Sequence, residues 1–263
     1  AGAVYGEYRK SVTQPFFLLF EKLKDTAYDR HTYKHTTMGF EADIKAMPQA
    51  YEFSLEFFRR YYRPDNTALL VVGDIDPDAT LTIVEKYYGN WQRGYTPPQV
   101  PVEPPQQAER TAEVSYPGKT LPILALAYKG DAFDPANRQY VAALLLEELA
   151  FGTASPVYRK LVIKEQKVET IWANVPINRD PPLYTIVAMV KRAEDISYVR
   201  DEIYRTLERL QREPADEAQL RDVKRRWRYS FLMELDAPDK TAGALARIIA
   251  VGGGMDALEK LFA

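Results

Sequence analysis

Residues 61–91, with the sequence YYRPDNTALLVVGDIDPDATLTIVEKYYGNW, constrain the fold more than any other part of the chain. Within them, residues 67–73 form a short continuous apolar run, which is typical of a β-strand covered on both faces. Asp76 is placed to cap the next helix, Pro77 suits its first turn, and Gly89 is placed to end it. The buried stripe of this helix would consist of Leu81, Val84, Tyr87 and Tyr88. The segment therefore predicts a buried strand, a capped turn and an amphipathic helix in direct succession.

The composition is ordinary for a globular chain and excludes several classes of function. Hydrophobic residues make up 46% of the 263 residues and charged residues 27%, which argues against intrinsic disorder. A net charge of -2 gives no electrostatic reason to expect nucleic acid as a partner. The lack of cysteine excludes disulfides, thiolate zinc sites and cysteine nucleophiles. No apolar run approaches the roughly 20 residues of a bilayer-spanning helix, so we expect no membrane span.

The expected fold class is α+β, with two related lobes that each pack helices on a mostly antiparallel or mixed sheet. The stretch 96–105, TPPQVPVEPP, contains five prolines and predicts an extended linker, because proline fits neither a helix interior nor a central strand. We therefore assign residues 1–95 to the C-terminal part of a first lobe, 96–110 to the linker and 111–263 to a second lobe. Both ends resemble cuts inside a longer polypeptide, so we expect a first lobe that is incomplete and a second lobe without its last helix.

Local spacing predicts the remaining elements. Residues 4–28 form a helix with a break at Pro15. Residues 47–62 form a second amphipathic helix, with the stripe Tyr51, Leu55, Phe58 and Tyr62. The other strands are predicted at 111–116, 122–129, 168–175 and 183–190. The other helices are predicted from Asp134 and Pro135 onward and at 155–166, 195–212 and 215–235.

Four segments, taken in order along the chain, resemble the inverted-zincin peptidases, the family of pitrilysin, insulin-degrading enzyme and mitochondrial processing peptidase. They are GEYRKSVTQP at 6–15, YDRHTYKHTTMGFEADIKAM at 28–47, residues 61–91, and SPVYRKLVIKEQ at 155–166. Each segment alone is a weak signal, because capped helices and strands are common. Their colinear order makes the resemblance specific, and it covers nearly the whole chain.

The resemblance implies a zinc-dependent endopeptidase that hydrolyses unfolded peptides with one zinc ion. Members of the family hold the zinc with an H-x-x-E-H motif and a glutamate on a later helix, and the Glu of the motif is the general base. The residue that matches the later glutamate is Glu7. The two histidine ligands and the base would lie upstream of Ala1, so no catalytic residue is assigned here and this fragment alone is expected to be inactive. The alternative for Glu7 is a solvated glutamate on a helix surface.

The only histidines, His31 and His35, have the spacing of H-x-x-E-H, but Lys34 stands where the catalytic Glu would be. A cation there cannot act as a general base at neutral pH and would repel zinc. We therefore interpret HTYKH as a loop rather than a metal site. The basic run 224–228, KRRWR, lies beside an apolar helical stripe, and we interpret it as a solvated helix surface rather than a nucleic-acid site.

In two-domain members of the family, the half without zinc supplies an Arg and a Tyr that steady the tetrahedral intermediate. Val162 and Glu169 occupy those places here. The expected partners are therefore a peptide substrate and a second homologous half or subunit that supplies the Arg/Tyr pair. An alternative is a non-catalytic relative that acts as a scaffold or partner subunit of an active zinc peptidase.

Overall fold

The computed structural model describes residues 2–262, and the chain divides into two compact units. The first unit contains Asp76–Thr120 and the chain up to Thr67. The second contains Ala68–Ile75 and the chain from Leu121 onward. This division does not test the predicted lobe bounds, residues 1–95, 96–110 and 111–263, which stay a prediction.

The first unit is helical in the residues that the structure describes. Pro15 separates its first two helices, because Pro15 occupies the first turn of a new helix and Gln14 precedes it as an extended N-cap residue. The predicted break is therefore confirmed. Asp76 caps the last helix of the unit as predicted, with its carboxylate accepting a hydrogen bond from the Ala79 N–H at 2.8 Å. The helices are α1 (Gly2–Ser11), α2 (Pro15–Ala27), α3 (Glu41–Ala46), α4 (Tyr51–Tyr61) and α5 (Pro77–Tyr88).

Two strand predictions were wrong. Residues 67–73 and 111–116 pair with no strand among residues 2–262, and most of their side chains are exposed. An apolar run becomes a strand only where a neighbouring strand supplies hydrogen bonds and a packing face, and the described part of the chain offers neither to these runs. The second predicted sheet is therefore absent from the described residues, although the α+β class itself holds.

The second unit contains a three-stranded antiparallel sheet with the strand order β1-β3-β2. β1 is Ile123–Lys129, β2 is Val168–Asn174 and β3 is Leu183–Val190. These bounds confirm the predictions at 122–129, 168–175 and 183–190. In the register, Leu126 faces Ile186 and Ala173 faces Ile186 from the other side, so β3 is paired along both edges. β3 is the most apolar of the three strands and the most buried, which suits a central position.

Helices α6 (Arg138–Phe151) and α8 (Ile196–Arg212) pack on this sheet. The core contains side chains of both helices and the sheet, including Phe151, Val199, Ile203, Ile171 and Val190. The predicted helix start at Asp134 and Pro135 was wrong by about one turn. The Asp134 carboxylate accepts a hydrogen bond from the Ala136 N–H at 2.8 Å and closes a local turn. Asn137 caps α6 instead, by accepting from the Gln139 N–H at 2.9 Å.

The helix predicted at 155–166 exists but is not regular. Ser155 caps a short turn, α7 (Pro156–Tyr158), which continues into the π-helical segment Arg159–Lys164. Gln166 follows with a φ of +54°, and the Lys167 N–H returns to the Leu161 carbonyl at 3.0 Å. This bond spans one residue more than the 6→1 bond of a Schellman motif, in keeping with the wider π-helical turn that it closes.

Arg138–Lys164 is the one described helical stretch that is long and apolar enough, by length and composition, to cross a membrane. Its longest regular part, α6, has 14 residues, which span roughly 21 Å, less than the roughly 30 Å hydrocarbon core of a bilayer. α6 also packs against β2 and carries Glu147 and Glu148. We therefore interpret it as a core helix, and the expected lack of a membrane span stays a prediction.

The C-terminal helices form a second apolar cluster with α6. They are α9 (Glu217–Glu234), α10 (Pro238–Gly252) and α11 (Asp256–Phe262). Val223 on α9 is buried, and the Trp227 ring stacks on Phe262 with 4.9 Å between centroids. The basic residues beside this stripe make local contacts; for example, Arg226 lies 3.4 Å from the Glu148 carboxylate. This geometry supports the interpretation of KRRWR as a helix surface.

Candidate functional site

Glu7 lies on an exposed part of α1. Its side chain makes no hydrogen bond or ion pair with the described residues. The next residue, Tyr8, is buried and packs edge-on against Phe17 of α2, with 5.8 Å between ring centroids. Tyr8 also hydrogen-bonds Glu21, and burial raises the pKa of both groups. These contacts fix the orientation of α1 and leave the Glu7 carboxylate exposed, where it can bind a further group.

No three His, Cys, Asp or Glu side chains come together as a potential metal cluster within residues 2–262. A catalytic zinc site needs three protein ligands and an open position. Glu7 alone therefore does not form the zinc site that the family resemblance implies. The assignment of Glu7 as a zinc ligand stays a prediction.

The two histidines are held by local contacts. His31 is buried, and its Nδ1 accepts a hydrogen bond from the Tyr33 N–H at 3.0 Å. The His35 Nδ1 lies 2.8 Å from the Thr36 carbonyl oxygen. Residues Thr32–Lys34 form a 3₁₀ turn, so the two rings are not presented on one face of an α-helix. The Lys34 ammonium lies 2.9 Å from the Asp25 carboxylate, which places a cation within the motif as the sequence implied.

Glu103 of the proline-rich segment fixes this loop. Its carboxylate accepts hydrogen bonds from the backbone N–H groups of Asp29, Arg30 and His31 at 2.8, 2.9 and 2.9 Å. Arg110 adds an ion pair to Asp29 at 2.6 Å. Sequence reasoning missed this role of Glu103; the only available signal was a single acid between prolines.

The two residues that the resemblance assigns to the Arg/Tyr positions, Val162 and Glu169, lie in the second unit. Val162 is half-buried in the π-helical segment and packs against the sheet core. Glu169 is exposed on β2 and lies 3.4 Å from the Lys191 ammonium. A valine cannot donate a hydrogen bond, and a carboxylate would repel an oxyanion rather than stabilise it. Neither side chain can therefore replace the missing pair.

The apolar face of α4 is exposed, although the apolar face of an amphipathic helix normally packs against a core. Phe53 and Phe58 are 65% and 56% exposed. The rings pack against one another instead of against a core. The ring centroids of Phe57 and Tyr61 are 4.3 Å apart, and those of the stacked pair Phe58 and Tyr62 are 4.6 Å apart. The helix formed as predicted, but no described part of the chain covers this face.

The apolar stripe of α5 is likewise exposed rather than buried as predicted. Leu81 is 64% exposed and Tyr87 67%. Leu69 and Val71 of the unpaired run at 67–73 are exposed as well. Monomeric proteins rarely expose large contiguous apolar patches, and such faces usually mark sites of protein interaction. The sequence pattern therefore encodes burial that the described residues do not provide.

A feature that sequence reasoning missed is an apolar cavity in the second unit, between α6, α8 and one end of the sheet. Its wall includes Glu147, one of two acids in the otherwise apolar helix sequence YVAALLLEELAF. Burial raises the pKa of Glu147, against the hydrogen bond that its carboxylate accepts from the Val175 N–H at 3.1 Å. An acid within an apolar helical run was the available signal.

Comparison with known proteins gives consistent results. Residues 51–226 match a family described as the Peptidase M16 inactive domain. The zinc protease PqqE of Helicobacter pylori is 27% identical over 237 residues, which cover 88% of this chain and 52% of that protein. A crystal structure of a protease from Helicobacter pylori has a TM-score of 0.84 at 25% identity and covers 99% of this chain and 64% of that one.

A crystal structure of a peptidase M16 inactive domain from Pseudomonas fluorescens has a TM-score of 0.76 at 18% identity. The match covers 99% of this chain and 61% of the Pseudomonas fluorescens chain. At 18% identity it shows a similar fold and nothing more. The chain therefore spans about half the length of the PqqE relative and less than two thirds of these two solved chains.

Proposed function

The chain belongs to the M16 peptidase family, the inverted-zincin family that its sequence resembles, and from this we propose that it is a non-catalytic part that scaffolds or pairs with an active zinc peptidase half. The match to the family's inactive domain over residues 51–226 carries this proposal. The chemistry of the side chains supports it. Among residues 2–262 no three metal ligands converge, and Val162 and Glu169 stand where an Arg and a Tyr would act.

The exposed apolar faces support a role in assembly. The stripes of α4 and α5 have the amphipathic pattern of helices that pack against another layer. We propose that the active half, or a further part of the same polypeptide, covers them and completes a lobe with a second sheet. The unpaired run at 67–73 would then become a strand of that sheet, as its composition predicts.

A second candidate is favoured by the free carboxylate of Glu7. In this candidate the full-length protein is itself a zinc endopeptidase. Glu7 is one ligand, and two histidines and a general-base glutamate lie upstream of Ala1. A second homologous half or subunit would supply the Arg/Tyr pair, and an extended peptide would be the substrate. No step of zinc chemistry follows from the described residues themselves.

One experiment separates the two candidates. The full-length protein is purified alone and also together with an M16 subunit of the same organism that has an intact H-x-x-E-H motif. Zinc content and cleavage of a flexible fluorogenic peptide are then measured. The scaffold proposal expects no chelator-sensitive cleavage by the protein alone, cleavage by the pair, and co-elution of the two chains. About one zinc per chain and chelator-sensitive cleavage by the protein alone would overturn it.

The Glu7→Gln variant tests the second candidate directly. If Glu7 is a ligand, this variant loses zinc and activity but keeps the melting temperature of the zinc-free wild type, because the side chain itself is exposed. Glu52→Gln, an exposed glutamate on α4, is the matched control and should keep both. Unchanged zinc content in Glu7→Gln would defeat the ligand assignment.

A further inference from the structure

The cavity of the second unit has the size and lining of a small-molecule site. Its volume is about 310 Å³, and its exposed lining is mostly apolar. Ala143 and Phe151 of α6 form one wall, Leu207 and Leu210 of α8 another, and the Tyr184 side chain lies on the sheet. A cavity of about 150 Å³ holds one benzene ring, so this one has room for about two fused rings. Ligand pockets of proteins begin at roughly this volume.

The position of Tyr184 in this wall is fixed by its surroundings. Its hydroxyl accepts a hydrogen bond from the Asp131 N–H at 3.0 Å. A Cβ on Gly130 would lie 2.2 Å from the Tyr184 ring, so the ring depends on glycine at that position. The β3 side of the cavity is therefore held in place by the fold.

Glu147 is the only side chain in the described lining that is acidic, and the described lining contains no Lys, Arg or His. One carboxylate oxygen, Oε2, accepts from the Val175 N–H. The other makes no hydrogen bond within the described residues. The neighbouring Glu148 differs, because it lies outside the lining and is paired with Arg226. A half-buried carboxylate without a counter-cation is costly unless a ligand supplies the positive charge or a hydrogen-bond donor.

We propose that this cavity binds a small apolar molecule that carries one amine, with its ring system between α6 and α8 and its amine on the Glu147 carboxylate. The apolar walls select the body of the ligand, and the unpaired carboxylate selects its charge. This site is independent of the peptidase relationship, since it uses neither Glu7 nor the positions of the Arg/Tyr pair.

The test uses three probes of one shape, 2-(1-naphthyl)ethylamine, 2-(1-naphthyl)ethanol and 3-(1-naphthyl)propanoate, titrated into the full chain by calorimetry at pH 7. The amine is expected to bind with a Kd below about 1 mM. The alcohol should bind about 5- to 10-fold more weakly and the carboxylate at least 10-fold more weakly, because the latter brings a second negative charge to Glu147. Equal binding of the amine and the carboxylate, or no binding of the amine, would overturn the proposal.

Variants locate the site. Glu147→Gln should remove the preference for the amine over the alcohol while the alcohol still binds. Glu148→Gln, which removes the same charge one residue away, should leave all three affinities within about 2-fold of the wild type. A preference that persists in Glu147→Gln would place the amine elsewhere and defeat the assignment.

Filling variants test the cavity itself. Ala143→Phe should abolish binding of all three probes. Leu146→Trp serves the same purpose at a rim position that is 41% exposed, where a larger side chain does not disturb the core. Thermal unfolding identifies the folded variants. Undiminished binding in a folded filling variant would show that the probes bind outside the cavity.

Discussion

Gln166 is a position where one backbone angle decides what residue is preferred. It adopts a φ of +54° after the π-helical segment, a conformation that costs L-residues roughly 1–2 kcal/mol and glycine almost nothing. Its side chain is exposed, so little packing opposes a change. The backbone hydrogen bonds around it, including the one from the Lys167 N–H to the Leu161 carbonyl, require only this backbone angle and not the glutamine side chain.

We predict that Gln166→Gly stabilises the protein by about 0.5–1 kcal/mol, because relief of the left-handed strain exceeds the entropy that glycine loses on folding. Urea unfolding measures this change. Gln166→Ala is the matched control and should give no gain, since alanine keeps the steric penalty. An equal gain from alanine and glycine would show that the backbone angle is not the cause.

Glu147 makes stability depend on pH. Burial raises its pKa above the ordinary value of 4.5, so the unfolded chain releases this proton at a lower pH than the folded chain. The stability that the protonated acid contributes is therefore fully present below 4.5 and is lost as the pH rises through the folded pKa. Glu147→Gln removes this dependence and keeps an oxygen acceptor for the Val175 N–H.

We therefore expect the melting temperature of Glu147→Gln, relative to the wild type, to increase from pH 4 to pH 8. Differential scanning calorimetry across this range measures the difference. Glu148→Gln should show no such rise, because the Glu148 carboxylate lies beside Arg226. If the melting temperatures of Glu147→Gln and the wild type differ by the same amount at every pH, protonation of Glu147 does not contribute to stability as proposed.

At the scale of elements, the sequence predicted those structures whose determinants are local. The strand at 183–190 was placed correctly because its eight residues are apolar and rich in β-formers throughout. The break at Pro15 followed from proline's missing N–H. The start of α6 was misplaced because Asp-Pro fits a turn as well as a helix cap, and Asn137 competes for the cap.

Asp76 provides an element-scale prediction. Its carboxylate accepts the Ala79 N–H at the start of α5, and Asp76→Ala should cost about 1 kcal/mol of helix stability. Amide hydrogen exchange in the first turn of α5 measures the local effect. Asp76→Asn retains a capping oxygen and should exchange like the wild type. Equal protection in all three proteins would show that the cap contributes nothing.

At the scale of the whole molecule, sequence reasoning predicted too much burial. The stripes of α4 and α5 and the run at 67–73 have the pattern of core elements, but a pattern states only that a face is apolar, not which partner covers it. The assignment of Glu7 as a zinc ligand has the same limit, because one carboxylate does not show where the other ligands of a zinc site lie. By contrast, the interpretation of HTYKH as a loop agrees with the structure, which forms only a 3₁₀ turn at Thr32–Lys34.

The exposed face of α4 gives a prediction for the molecule as a whole. Phe53→Lys and Phe58→Lys should change the free energy of unfolding of this chain by no more than about 0.5 kcal/mol, as exposed sites do. They should also weaken its binding to the active M16 subunit and lower its binding of a dye for apolar surfaces. Phe151→Ala, in the core, should instead cost about 3–5 kcal/mol. If Phe58→Lys lowered the free energy of unfolding by a similar amount, this face of α4 would already be covered.

The strand order has a consequence for synthesis on the ribosome. The middle strand is the last of the three to be made: β1 ends at Lys129, and β3 begins only at Leu183. At roughly 5–20 residues per second, β1 leaves the ribosome about 3–10 s before the strand that it must pair with. During that interval the backbone of β1 has no native strand partner, and α6 is the first core element made that its Leu124 and Leu126 pack near.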